Sequence, residues 1–340
     1  MATLNATALT LADWAKRVDP DGKVPTIVEM LAQTNQVLAD MLFREGNLPT
    51  GDRITVRTGL PTVTWRLLNA GVPKSKSTTA QIDEACGMLE ARSELDTAIA
   101  ELNGNTAAVR LTEAQAFIES MNQEMAQTLF YGNSATQQEE FTGLSPRYAS
   151  LSAANGSNIL SAGGAGSDNS SMWLVCWGQN TVHGIFPKGS KAGLVHEDIG
   201  LGDAFDTNND RFRAYMDRWQ WKCGLALRDW RYAVRIANID ISDLLALATT
   251  QATTAATFLP KLMSRAIDRI PAPGMGNMAF YANKTIMSNL RVAAMEKSIN
   301  VLSIQEGLGQ LGQRIQSGLS FMGVPVRMCD QLLETEVVVS

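Results

Sequence analysis

Histidine and cysteine are scarce in this 340-residue chain, which holds only His183, His196, Cys86, Cys176, Cys223 and Cys329, with no CxxC pair among them. Thiols scattered this widely supply neither a zinc knuckle nor a disulfide framework, and a reducing cytoplasm is the expected compartment. The two histidines fall in a glycine-rich stretch, too far apart for a metal pair on one element, and each reads as a surface loop residue. Excess basic charge is missing too: the net charge is −5, which argues against a nucleic-acid binder acting through overall basicity. No basic start followed by an apolar run is present, so no signal peptide is expected. The most apolar window, residues 244–259, is interrupted by five threonines and a glutamine before Pro260, so it cannot span a bilayer. A soluble protein without membrane contact is expected.

Catalytic chemistry is equally thin. No GxSxG and no Ser/His/Asp set with an orienting carboxylate can be nominated. Gly307, Gly309 and Gly312 satisfy GxGxxG in letters, but Ser303-Ile-Gln-Glu306 ahead of them is not the strand of a βαβ unit, so the stretch reads as a loop. Asp206-Thr-Asn-Asn-Asp210 hints at a calcium loop, yet Arg211 stands where the turn needs glycine and Asp217 where a bidentate glutamate belongs. Asn169-Ser-Ser171 is a glycosylation sequon only in a secretory compartment. No catalytic, cofactor-binding or metal-ligating residue is therefore assigned, and no cofactor is implied.

What the chain does carry is an α+β pattern. Hydrophobic residues make up 45% and charged residues 19%, ordinary values for a globular protein large enough to bury a substantial core. The most patterned stretch is Arg213 to Asp240. Tyr215, Asp217, Trp219, Trp221 and Cys223 alternate with Met216, Arg218, Gln220 and Lys222; after Gly224, Trp230, Tyr232, Val234 and Ile236 alternate with Arg231, Ala233 and Arg235. This predicts two strands of roughly ten residues paired as one antiparallel hairpin, turning near Gly224. Its aromatic face belongs to the core, and the face bearing Arg218, Lys222, Arg231 and Arg235 reads as solvated surface, with nucleic-acid contact the less favoured alternative.

Elsewhere the order of elements is as follows. Residues 1–25 read as an arm, and a helix is predicted from the N-cap Thr26 to the stop Gly46. Residues 46–105 hold β-like runs at Arg53–Thr58 and Thr62–Leu68, a polar stretch at Pro73–Thr79 and a mixed run from Gln81 to Leu102. With few large apolar side chains this segment forms no core of its own; it is either a mobile lid or is held extended against another molecule. A helix follows from the capping box Thr112/Gln115 to Gly132. Residues 150–171 read as loop, Met172–Trp177 as an internal strand, and His183 to Asp210 as a glycine-rich, acidic excursion. Asp240 caps a helix through Leu247, and a second helix ends at Pro271. A strand at Met278–Tyr281, a helix from Thr285 to about Glu296, an interrupted strand at Leu319–Met328, a helical turn from Asp330 and a last strand at Thr335–Val339 complete the chain.

The sequence phrases Phe141-Thr-Gly-Leu-Ser-Pro-Arg147, Trp221-Lys-Cys-Gly-Leu-Ala-Leu-Arg-Asp-Trp230, Arg235-Ile-Ala-Asn-Ile-Asp240, Met278-Ala-Phe-Tyr-Ala-Asn283 and Phe321-Met-Gly-Val-Pro-Val326, in this order after the helix ending at Tyr131, carry a resemblance. The chain resembles the major capsid proteins of tailed bacteriophages, the Hong Kong 97 fold, from about residue 26 onward. The resemblance implies a structural protein rather than an enzyme, with 1–45 as N-terminal arm and helix, 46–105 as an extended loop over a neighbouring subunit, 106–240 as a peripheral domain with a spine helix, 241–318 as an axial domain and 319–340 as strands returning to the peripheral domain. Expected partners are copies of the chain in hexamers and pentamers, scaffolding, portal and cement or decoration proteins, and packaged double-stranded DNA touched without sequence preference. The expected location is the virion, assembled in the host cytoplasm. Lys74 and Lys76 lie in no motif that licenses covalent crosslinking. An encapsulin-like shell around protein cargo, or an enzyme with a mobile lid, are the alternatives.

Overall fold

The computed structural model describes residues 33–101, 106–205, 208–245, 252–295, 302–305 and 318–340. The N-terminal arm, the Thr26 cap, the start of the Asp206–Asp210 stretch and the Gly307–Gly312 stretch lie outside them. Among the described residues ahead of β1 (Phe43–Glu45), helical geometry is confined to one turn, α1 (Val37–Asp40), and Met41 is already extended. The helix expected to reach Gly46 is thus overruled by pairing: β1 lies parallel to β6 (Val182–Phe186), and Gly184 N–H donates to Leu42 O at 2.8 Å. Open donors and acceptors along β6 outweigh the local helical spacing.

Two strands then leave the body as an antiparallel arm. β2 (Gly51–Gly59) pairs with the distal part of β3 (Thr78–Asp96), from Thr78 to Ala85. From Cys86 to Asp96 the same strand pairs antiparallel with β8 (Arg211–Leu227), so β3 belongs to both the arm and the main sheet. Residues 60–77 between β2 and β3 contain no strand; Thr62–Leu68, read as β-like, has no neighbouring strand to pair with. A short helix α2 (Thr97–Glu101) precedes the long helix α3 (Thr106–Tyr131). Thr112 lies inside α3, its hydroxyl donating back to Ala108 O at 2.9 Å, so the expected capping box is not the helix start.

The central strand is β5 (Asn169–Trp177), buried at all nine positions as its continuously apolar run predicts. It starts inside the stretch expected to be loop, as does β4 (Ile159–Ser161). Around it stand β9 (Ala233–Asp240) and β10 (Asn277–Ala282), both antiparallel to β5, with β13 (Val324–Met328) parallel to β10. Helices α5 (Ala252–Asp268) and α6 (Lys284–Met295) pack against this region; Asn283 Oδ1 accepts from Ile286 N–H at 2.8 Å and starts α6, as Asp240 Oδ1 accepts from Asp243 N–H at 3.0 Å and starts α4 (Ile241–Leu245). β12 (Gly318–Phe321) pairs with β11 (Leu302–Gln305) and turns into β13 through Met322 and Gly323, both at positive φ (49° and 82°), the backbone that a two-residue hairpin turn demands. Beyond β13 the turn expected at Asp330 is a single one, closed by Leu332 N–H to Cys329 O at 3.3 Å without becoming a helix, and there is no strand at Thr335–Val339. Two isolated bridges, Asn35 to Cys329 and Asn169 to Glu336, hold this end, and side-chain bonds such as Arg235 to Glu336 and Val339 N–H to Asn238 Oδ1 take the place of a ladder.

The hairpin predicted over Arg213–Asp240 is absent. β8 runs straight through Gly224, which faces Cys86 on one side and Ile185 on the other, while β9 pairs with β4 and β5 instead. A Cβ on Gly224 would sit 2.7 Å from Ala85 O, so this glycine serves close strand approach rather than a turn. The chain reverses further on, at Asp229, whose carboxylate accepts from Arg231 N–H at 3.0 Å. The hairpin partner of β8 is β7 (Leu194–Phe205), within the stretch read as a glycine-rich excursion.

Candidate assembly interface

The arm ends in a solvent-exposed apolar cluster. Leu60, Val63, Trp65, Leu67, Leu68 and Val72 range from 52% exposed at Val72 to fully exposed at Trp65. Six large apolar side chains within thirteen residues, none packed on its own subunit, form the kind of patch that marks a protein contact. Lys74 and Lys76 are exposed beside them.

The root of the arm, by contrast, is locked to the body. Arg147, in the turn after α3, holds Glu84 of β3 in a bidentate pair at 2.6 Å, and donates as well to Thr142 O at 3.0 Å and Gly143 O at 3.1 Å. Glu84 is buried and Arg147 nearly so, so removal of either leaves an uncompensated charge. Asp52 of β2, also buried, meets Arg228 at 3.4 Å. Arg53 and Asp83 pair across the strands at 2.6 Å, but both are half exposed and add little. A rooted base with an unpartnered tip suits a lever that reaches another molecule.

On the α3 side, Trp219 of β8 stacks between Phe117 of α3 and His196 of β7, with ring centroids 5.1 and 5.3 Å away. This bears out the aromatic face at Trp219, whereas Trp230, expected on the same core face, is 38% exposed because it lies in the turn after β8 rather than in a strand. Arg110 of α3 bridges Asp217 at 2.7 Å and Asp198 at 2.8 Å, which raises its own pKa and holds Asp198 below the usual carboxylate range. The opposite face is less basic than its letters suggest. Arg218 is taken up by Glu90 at 2.7 Å and Glu197 at 3.3 Å, and hydrogen bonds from Arg218 and then Arg92 bring the exposed Glu90 down to about 2. Arg235 is not surface at all: it is 3% exposed, lies over the Trp173 ring and pairs with Glu336 at 2.9 Å. Both faces of β9 are covered, so alternation there does not separate core from solvent. Sequence pattern gave no sign of this pair, whose members are 101 residues apart.

Residues 19–340 match the family described as major capsid protein GP7. The chain belongs to that family. Over 100% of its length, and 99% of the other chain, the capsid protein is similar to a cryo-electron microscopy structure of bacteriophage Epsilon15, with 32% identity and a TM-score of 0.73. A bacteriophage JBD30 capsid chain is 9% identical, covering 89% of this chain and 93% of its own, with a TM-score of 0.49. A chain from the capsid of an empty GTA particle is 11% identical, covering 68% and 99%, with a TM-score of 0.42. No curated protein matches the chain. The protein is thus a structural capsid component of a tailed phage with the α+β Hong Kong 97-type fold, not an enzyme.

The remaining candidate residues of the capsid protein serve the fold. Burial first, then Cys86's neighbour Asp52, pushes the Cys86 thiol up to about 11, and burial raises Cys223 and Cys329 to about 12, so these thiols stay protonated and unreactive. Asn169 is fully buried, which closes the sequon to modification. His196 is half exposed on β7, whereas His183, expected in a surface loop, is buried in β6. Burial, and then the nearby Arg228 and Arg44, lower the His183 pKa from 6.5 to about 4, with Asp52 pulling the other way. An unfolded chain takes up a proton here below pH 6.5 while the folded one stays neutral until about pH 4. The subunit's stability is therefore expected to fall across that window, and urea midpoints of His183→Leu should lack this component of the pH slope while matching wild type in slope above pH 7.

Proposed function

We propose that the protein builds the hexamers and pentamers of an icosahedral head around double-stranded DNA, with the β2–β3 arm as the main grip between subunits. The observation that carries this is the exposed apolar tip on a rooted arm. In this reading 1–45 is the N-terminal arm, 46–105 the extended loop, whose distal part and tip lie over a neighbour while Cys86–Asp96 stays paired with β8 of its own subunit, 106–240 the peripheral domain around α3, 241–318 the axial domain and 319–340 the returning segment. Assembly takes place in the host cytoplasm, with scaffolding, portal and decoration proteins as further partners. DNA contact is sparse and salt-sensitive. Along β8 and the turn after it, Arg213, Arg218 and Arg231 already face Asp203, Glu90 and Asp229, which leaves little free positive charge there.

Limited proteolysis before and after assembly tests the central claim. Cleavage between Pro73 and Thr79 is expected in free subunits and absent in shells, because a docked loop cannot enter a protease site. Equal cleavage in both states would leave the arm free in solvent and remove its role as a grip.

A further inference from the structure

A cavity of about 160 Å³ opens beside the root of the arm, between β3, the C-terminal half of α3 and the loop after it. Met88, Leu89, Met125 and Phe141 make its apolar wall, and Glu124, Glu139 and Glu140 stand around it. Among the described residues no lysine or arginine forms an ion pair with these three carboxylates, and burial together with the charges of Glu124 and Glu139 raises the pKa of Glu140. The site thus combines an apolar wall, open at the surface to an aromatic side chain, with carboxylates that no basic side chain among the described residues pairs. Its size is close to that of cavities of about 150 Å³ that accept benzene.

We propose that this cavity receives Trp65 and Arg66 from the arm of a second copy of the chain, the indole against Met88, Met125 and Phe141 and the guanidinium among the glutamates. The inference rests on the reading of the arm as an intersubunit grip. Trp65 is fully exposed, and Arg66 beside it is exposed too, with one hydrogen bond described for its side chain, from Nε to Ala70 O at 2.9 Å. From Arg57 to Ile82 the sequence carries Arg57, Arg66, Lys74 and Lys76 and no acid, so the tip complements the rim in sign. Thioether sulfurs against an indole and an arginine among carboxylates are both favourable contacts. The chain's own Trp65 cannot be the occupant. The β2–β3 ladder runs from Ala85 to Thr78 before the tip begins, which at about 3.3 Å per residue carries the tip roughly 25 Å from the cavity.

The test places a benzophenone amino acid at Met88, or separately at Trp65, in shells assembled from a mixture of unlabelled and nitrogen-15-labelled subunits. Irradiation at position 88 should join it to the Trp65 peptide, and irradiation at 65 should join it to peptides bearing Met88, Met125 or Phe141, in both cases between differently labelled chains. In parallel, Arg66→Glu should lower shell yield about tenfold and Glu124→Arg in the same chain should restore most of it, as coupled neighbours do. If position 65 crosslinks to a neighbour elsewhere, the arm is a grip but the cavity is not its receptor, and the proposal falls alone. If position 65 gives no intersubunit crosslink, arm reading and proposal fall together. A crosslink from position 88 to the peptide containing Trp14, Lys16 and Arg17 would assign the cavity to the N-terminal segment and overturn the proposal.

Discussion

Glu336→Ala is expected to destabilise the isolated subunit by about 3–5 kcal/mol, the range for stripping one partner from a buried ion pair. Glu336 is 7% exposed and Arg235 3%. The carboxylate accepts from Arg235 Nη2 at 2.9 Å, from the Ser171 hydroxyl and from the Tyr131 hydroxyl. Arg235 also donates to Ser171 Oγ at 3.0 Å and to Tyr148 O at 2.8 Å. Without Glu336, a guanidinium walled in by Trp173 keeps its charge with no counterion, and the Tyr131 and Ser171 hydroxyls lose their acceptor. Replacing both members, Arg235→Met with Glu336→Leu, should recover much of the loss, since apolar substitutes leave no orphaned charge. Lys222→Ala, on the partly exposed face of β8, should shift the midpoint by less than about 0.5 kcal/mol. Urea unfolding followed by tryptophan fluorescence reads all three. An Ala variant at 336 with the midpoint of Lys222→Ala would show that the pair does not hold the C-terminal end in place.

The second large effect falls on assembly and spares folding. Replacing residues 62–72 with an equal length of Gly and Ser removes Val63, Trp65, Leu67, Leu68 and Val72 while leaving every β2–β3 pair intact. Because those side chains touch no core of their own subunit, the unfolding midpoint should stay within about 0.5 kcal/mol of wild type. Shell yield should fall by more than about tenfold, since every subunit of a closed lattice loses the same contact and the losses compound. Sedimentation and negative-stain microscopy measure the yield. Normal shells from this variant would sink the arm as the principal grip, and a lowered midpoint would mean that the tip folds against its own body.

The elements that depend on local pattern were legible. The unbroken run Met172–Trp177 identified the central strand, Asp240 the start of α4, and the spacing Phe117, Met121, Met125 and Leu129 the long helix. What escaped was set by partners distant in sequence. Gly224 looks like a turn because nothing nearby shows that Ala85 will press against it. Arg235 alternates correctly for a solvated face, yet a second layer covers that face and supplies Glu336 from the far end of the chain. His183 had the polar, glycine-rich neighbours of a loop, and only the pairing of β6 with β1 and β8 encloses it. At the interface, the scarcity of apolar residues between 46 and 105 points only to the lack of an independent core. The structure divides them: those from Leu60 to Val72 are gathered at the tip and turned outward, while Ile54, Leu95 and Ile99 are buried against the body.

Because β3 is one unbroken strand, a pull on the arm travels along covalent backbone straight into the main sheet. From Cys86 to Asp96 its ladder with β8 lies across that line of force, as antiparallel hydrogen bonds do. Tension along the arm therefore loads this whole row of pairs together, in shear, rather than peeling them one at a time. When a filled head swells against its own contents, the joint between neighbours is expected to slip at the tip before the strand tears out of the subunit that owns it.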